Sequence, residues 1–165
     1  MSLYGEALTF FADWQRDETK RTALNIQYTE KSKGNVLTLN VEMATIGVSN
    51  NIPEWDAKIS LQLSKYELTD LCSLLFGLKK KVEAKYHGQQ KNKGIILYNN
   101  GATGVIIQLS EAGRVLQHLL SHHQRIELGV FVLRRQAQAW GVSPSDVLAV
   151  LRQSVSIARS SNDNG

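Results

Sequence analysis

Two stretches of this chain end on the same triplet before a leucine-rich run. KISLQLS at 58–64 leads into KYELTDLCSLLFG, and GVIIQLS at 104–110 leads into EAGRVLQHLLSHH. A chain that writes strand, serine and helix twice has few ways to fold, because each sheet must bury one face and each helix one stripe. The serines Ser64 and Ser110 stand 46 residues apart, and the helical stripes behind them align after a small shift. The repeat is one of topology, not of near-identical sequence.

From Arg21 the pattern has period two. TALNIQYTEK places Leu24, Ile26 and Tyr28 on one face and Asn25, Gln27 and Thr29 on the other. After the turn KSKGN, VLTLNVEMA puts Leu37, Leu39, Val41 and Met43 inward and Thr38, Asn40 and Glu42 outward. KISLQL sends Ile59, Leu61 and Leu63 inward and Lys58, Ser60 and Gln62 outward. Such alternation predicts three half-buried antiparallel strands. The period then becomes helical. Ser64 and Glu67 form a capping box, and Leu68, Leu71, Cys72 and Leu75 make an i, i+3, i+4, i+7 stripe that Gly77 closes.

The second half reads the same way. KVEAKYH, KGIILYNN and TGVIIQL predict three more strands, with NNGA as a turn signal. Ser110 is expected to cap a helix carrying Glu111 in its first turn and a stripe of Ala112, Val115, Leu116, Leu119 and Leu120. Beyond it, QRIELGVFVLRRQAQAW continues as helix or begins a strand, with Gly129 leaving both open. GVSPSD starts an amphipathic helix over VLAVLRQSVSIA, capped near Ser143 or Ser145. Both halves therefore read β-β-β-α, an α+β chain with an extra C-terminal helix.

That order resembles the Whirly proteins, whose single-stranded DNA-binding fold is shared with the coactivators called positive cofactor four. AKISLQLSKYEL and TGVIIQLSEAGRVL carry the resemblance, each a strand, a polar cap and a helix start. It spans residues 21–123 at the level of element order. The resemblance implies two β-β-β(-β)-α units in pseudo-twofold arrangement, four strands per half, antiparallel sheets packed with helices, and single-stranded nucleic acid carried on the sheets. Residues 1–20 are expected as a separate segment in which Phe10, Phe11 and Trp14 pack as a helix or an added strand. Residues 21–159 then form one domain (repeats 21–77 and 79–123, helical extension 124–159), with a disordered tail at 160–165.

The chain carries 19 Lys+Arg against 15 Asp+Glu, with a sequence pI near 9.2, and its positive charge is clustered. That suits a nucleic-acid partner without requiring one. The opening residues lack a basic start and an apolar core, so a cytoplasmic protein, nucleoid-associated if bacterial, is expected. The lone Cys72 sits among leucines and reads as a buried structural thiol.

The outward sheet positions are dominated by uncharged donors and acceptors. Asn25, Gln27, Asn40 and Gln62, with Lys58, can bond base edges and sugars, or else be covered by a partner. Lys31 and Lys33 lie in a hairpin turn, Lys81 and Lys85 flank the fourth strand, and Lys91 and Lys93 occupy the loop HGQQKNKG. Together they suggest a phosphate track, with Tyr86, Tyr98 and Trp55 as stacking candidates. Alternation places Tyr28, and Tyr86 with it, toward the core. His118, His122 and His123 read as exposed helix histidines because no third ligand stands at a metal-binding spacing. Arg134 and Arg135 read as solubilising.

No phosphate-cradling glycine loop, nucleophile elbow or paired carboxylates is present, which argues against an enzyme. No cofactor, metal or small-molecule substrate is expected. Two other readings stay open: an oligomeric protein-interaction module without nucleic acid, and a duplex-binding helix-turn-helix over residues 110–157. A homo-oligomer fits the first two readings, since open sheet edges must be covered.

Overall fold

The computed structural model describes residues 4–12 and 15–163. Two four-stranded antiparallel meanders are built in succession, and each closes on a helix. The first holds β1 (Tyr4–Phe11), β2 (Thr22–Lys31), β3 (Val36–Thr45) and β4 (Ile59–Gln62), followed by α1 (Lys65–Leu75). The second holds β5 (Lys81–His87), β6 (Lys93–Asn99), β7 (Val105–Glu111) and β8 (Arg114–Leu120), followed by α2 (His122–Trp140). A further helix, α3 (Pro144–Asp163), follows α2.

Each half thus has the fourth strand that three-strand alternation missed. In the first half it is β1, supplied by the N-terminal segment, where Phe10 is buried against the core and Phe11 is exposed. Trp14 lies outside the described residues. In the second half the fourth strand is β8, and here the sequence expectation is overturned. The run behind Ser110 is not a helix: Ala112 and Gly113 take φ of 51° and 87° and fold β7 back on β8 as a tight hairpin. Two positive φ values in a two-residue loop match the twist of the flanking strands. The helix-turn-helix reading of residues 110–157 falls with this strand.

The second helix starts at His122 under a different serine. Ser121 Oγ accepts from the Gln124 N–H at 3.1 Å while Gln124 Oε1 accepts from the Ser121 N–H at 3.1 Å. This box is the true counterpart of Ser64 and Glu67, which exchange the same two bonds at 3.2 and 2.9 Å. The two Gln-Leu-Ser triplets are therefore not equivalent. The first ends a fourth strand and the second lies within a third. Gly129 sits inside α2, buried against the Phe76 ring, and Gly141 ends that helix in the left-handed region at φ 67°. Ser143 caps α3, accepting from the Asp146 N–H at 3.2 Å, and α3 runs through Asp163, past the start of the expected tail.

The core is continuous across both halves. Leu24, Ile26, Leu39, Val41 and Met43 of the first sheet meet α1 and α2, with the Tyr28 ring stacked on Phe131 at 4.2 Å. Ile95, Leu97, Ile107 and Leu109 supply the second sheet's share. The sheets meet where β2 and β3 lie against β8, and β4 against β7. Polar groups bind that joint. Thr22 Oγ1 donates to the Gln117 carbonyl at 2.9 Å, Lys93 Nζ donates to the Ser60 carbonyl at 2.7 Å, and Arg114 donates to the Ala57 carbonyl.

Candidate nucleic-acid interface

The outward face of the first sheet presents the polar row read from the sequence, but its side chains bond to one another. Asn25 accepts from Thr9 Oγ1 at 2.8 Å and donates to Glu42 at 3.2 Å. Gln27 donates to the Gly5 carbonyl, Asn40 to Ser60 Oγ and Gln62 to Thr29 Oγ1, at 3.2, 3.0 and 3.0 Å. Lys58 Nζ sits 2.6 Å from Glu42 Oε2. Thr38, expected outward, is fully buried and donates to the Leu63 carbonyl. A ligand on this face must exchange bonds already made, so the net gain per contact is small.

The outward face of the second sheet is different. Across the strands, Lys81, Tyr98, Ile106 and Leu119 stand in register, and Glu83, Ile96, Gln108 and Gln117 form the next row. Ile96, Tyr98 and Ile106 are half-buried, and Val115 is exposed. Both edge lysines answer to one carboxylate: Lys85 and Lys81 lie 2.9 and 3.3 Å from Glu83. Their hydrogen bonds, that of Lys85 first, hold the Glu83 carboxyl below its ordinary range, and the same contact raises the Lys85 ammonium. Lys81 Nζ also lies 5.6 Å from the Tyr98 ring centroid.

A third cluster gathers at the hairpin tips. A groove of about 550 Å³ sets the β2–β3 turn (Gly34, Asn35) against Lys65 and Tyr66 at the start of α1, and His87 at the end of β5 bonds Glu67 of the same turn at 2.8 Å. Lys31, Lys33, Lys65 and Lys91 therefore share one end of the molecule with two tyrosines, Tyr66 at 72% exposure and Tyr86 at 75%. Tyr86 was expected toward the core. A β-bulge turns it out: Lys85 and Tyr86 together oppose Gly94, and Tyr86 adopts φ 65°. Positive φ is a true outlier for a bulky residue, and bulges re-aim side chains beside functional sites. The remaining candidates fall outside these clusters. Lys93 is committed to the sheet joint, between the Ser60 carbonyl and Glu111 at 3.4 Å, and Trp55 is half-buried in a short 3₁₀ turn.

No protein-family model matches the chain, and no curated protein matches it. Solved structures do match. WHY1 of Arabidopsis thaliana aligns with a TM-score of 0.62 at 13% identity, covering 84% of this chain and 92% of its own. WHY3 of the same plant gives 0.62 at 14%, covering 96% and 99%. PBF-2, a plant transcriptional regulator, gives 0.63 at 13%, covering 86% and 85%. The fold is Whirly-like.

On this Whirly-like frame, several residues take roles that the sequence did not disclose. Arg135, expected on the surface for solubility, is tied to the fold: it donates to the Thr29 and Thr38 carbonyls at 2.6 and 2.9 Å and lies 4.8 Å from the Tyr28 centroid. Arg134 pairs with Glu6 at 3.0 Å. His118, expected exposed on a helix, is buried in β8. Tyr66 and Lys65 were passed over because a capped helix start looks structural; Gly88 and Asn92 around the β5–β6 turn were the only sequence signs of irregular pairing beside Tyr86. Among the described residues no three His, Cys, Asp or Glu side chains gather as a metal site, and no helix is long and apolar enough to cross a membrane. Burial raises the Cys72 thiol to about 12, so it stays protonated and unreactive.

Proposed function

We propose that this chain binds single-stranded nucleic acid, DNA in preference to RNA, at the hairpin-tip cluster and along the outward face of the second sheet. The observation that carries the reading is Tyr86, held outward by a bulge between Lys85 and the Lys91 turn on a Whirly-like scaffold. Exposed tyrosines stack on any base, while lysines neutralise phosphates, so binding is largely independent of sequence. Tyr66, Tyr98, Lys31, Lys33, Lys81 and Lys85 extend the surface. The polar row Asn25, Gln27, Asn40 and Gln62, with Lys58, is a secondary contact because it is already bonded internally.

Fluorescence anisotropy with a single-stranded 32-mer, its duplex and the matching oligoribonucleotide tests this. The single DNA strand is expected to bind best, and Tyr86→Ala to weaken it by about 1–3 kcal/mol, the range for loss of one stacked base. Duplex preference, or an unaffected Tyr86→Ala variant, would refute the assigned surface. A second reading, an oligomeric interaction module, draws on α3, which buries only Val147 and Leu151 among its described side chains and leaves Val150 exposed. Self-association through this helix is compatible with nucleic-acid binding. Light scattering without oligonucleotide, on the native chain and on Val150→Asp, separates an assembled protein from a monomer.

A further inference from the structure

A second groove, of about 570 Å³, opens where the end of α1, the end of β6 and the first turns of α2 meet. Its volume lies in the range of small-molecule sites. One wall is polar. Arg125 retains only 9% of its surface, and its guanidinium donates to Asn99 Oδ1 at 2.8 Å and to His122 Nδ1. Neither partner is an anion: one is an amide oxygen, the other an imidazole nitrogen. Among the described residues no carboxylate lies within ion-pair distance of Arg125. A buried cation without an anion is costly, and an arginine has five N–H donors to satisfy.

The surrounding helix adds to the deficit. In α1 the capping-box partner is Glu67, which places negative charge at the positive end of the helix dipole. In α2 that partner is Gln124, the first turn holds no acidic residue, and His122 and His123 occupy it instead. Arg125 and the helix terminus therefore face the groove with the same uncompensated sign. The other wall is apolar. Phe76, Ile126 and Val130 line the groove and stay 36%, 53% and 52% exposed.

We propose that this groove binds a compact organic oxyanion, a carboxylate or a phosphate monoester. Arg125 holds the anion in its planar fork, and the apolar body lies on Phe76, Ile126 and Val130. The site is built from helix ends and β6, so it is separate from the nucleic-acid surface and does not depend on that reading.

Titration calorimetry on the full chain, with phenyl phosphate, benzoate and inorganic phosphate as probes, decides the matter. At least one aryl anion is expected to bind at a single saturable site, at least tenfold more tightly than inorganic phosphate, and the tighter of the two identifies the anion. Arg125→Gln should weaken that binding at least tenfold. Because Arg125 also bridges Asn99 and His122, that variant has a structural risk. Ile126→Glu alters an exposed position and sets a resident carboxylate in the groove, and it should block the probe while leaving the melting temperature within a few degrees of native. Absence of saturable binding by both aryl anions overturns the proposal. So does binding that survives Ile126→Glu unchanged, or inorganic phosphate binding as tightly as the tighter of the two aryl anions.

Discussion

The imidazole of His118 is sealed between the two sheets, with its Nδ1 2.8 Å from Thr22 Oγ1. Because the Thr22 hydroxyl donates to the Gln117 carbonyl, it accepts from His118, which fixes the proton on Nδ1 and leaves Nε2 buried without a partner. Burial lowers this group from 6.5 to about 4, the Thr22 contact opposing the shift only weakly. The folded state therefore binds fewer protons than the unfolded chain between those values. Stability present above pH 6.5 is lost as pH falls toward 4, by up to about 3 kcal/mol. Urea midpoints at pH 7 and pH 4.5 should show this loss in the native chain, and His118→Leu should lack that share of it. Arg135 makes a second single-residue prediction. Its guanidinium ties α2 to the β2–β3 carbonyls, so Arg135→Ala should cost about 2 kcal/mol in unfolding experiments. A solubilising arginine would cost nothing.

At the scale of elements, the two Gln-Leu-Ser triplets show how one pattern serves two structures. Val115, Leu116, Leu119 and Leu120 satisfy a helical stripe, yet in VLQHLL they also fill both faces of a strand. Leu116, His118 and Leu120 point inward while Val115, Gln117 and Leu119 point outward. Only the left-handed Ala112–Gly113 turn decides between the two, and an alanine there carries no sequence warning. Ser121→Ala should thus cost about 1 kcal/mol, the worth of an N-cap, while Ser110→Ala stays within about 0.5 kcal/mol. Equal costs in denaturant unfolding would contradict the strand assignment. Gly104 makes the complementary point about a backbone position. It turns into β7 at φ 109°, and an added Cβ would stand 2.0 Å from the Leu120 carbonyl oxygen. Gly104→Ala should destabilise the protein by more than about 2 kcal/mol, since strained backbone and a backbone clash combine.

For the molecule as a whole, charge placement matters more than net charge. Lys58, Lys79, Lys81, Lys85 and Lys93 each have a carboxylate neighbour, so many of the basic side chains are already paired. Exposed pairs of this kind are weak and yield readily to a competing phosphate. The variant with Lys31, Lys33, Lys81 and Lys85 all changed to Ala should therefore still lose affinity for a single strand. If all four contact phosphates, the slope of log affinity against log salt should flatten by as much as about 3. Circular dichroism should show an unchanged fold. An unchanged slope would remove these lysines from the interface.

The sequence by itself determined the strands with one polar face, the first capping box and the two-unit plan, because period-two burial and an N-cap serine are local signals. It also placed Lys33 and Lys91 in turns, where charge is solvated. Only the tertiary structure decided which serine starts the second helix, since the run after Ser110 fits a helical stripe and a strand equally well. The direction of Tyr86 came from a one-residue bulge that inverts all alternation beyond it. The fate of the polar residues was likewise a matter of neighbours: whether Asn25, Arg125, Arg135 or His118 meets solvent, a carbonyl or another side chain depends on strands and helices far away in the chain. Hydrogen-bond partners at long sequence separation are set by packing, and no local pattern encodes them.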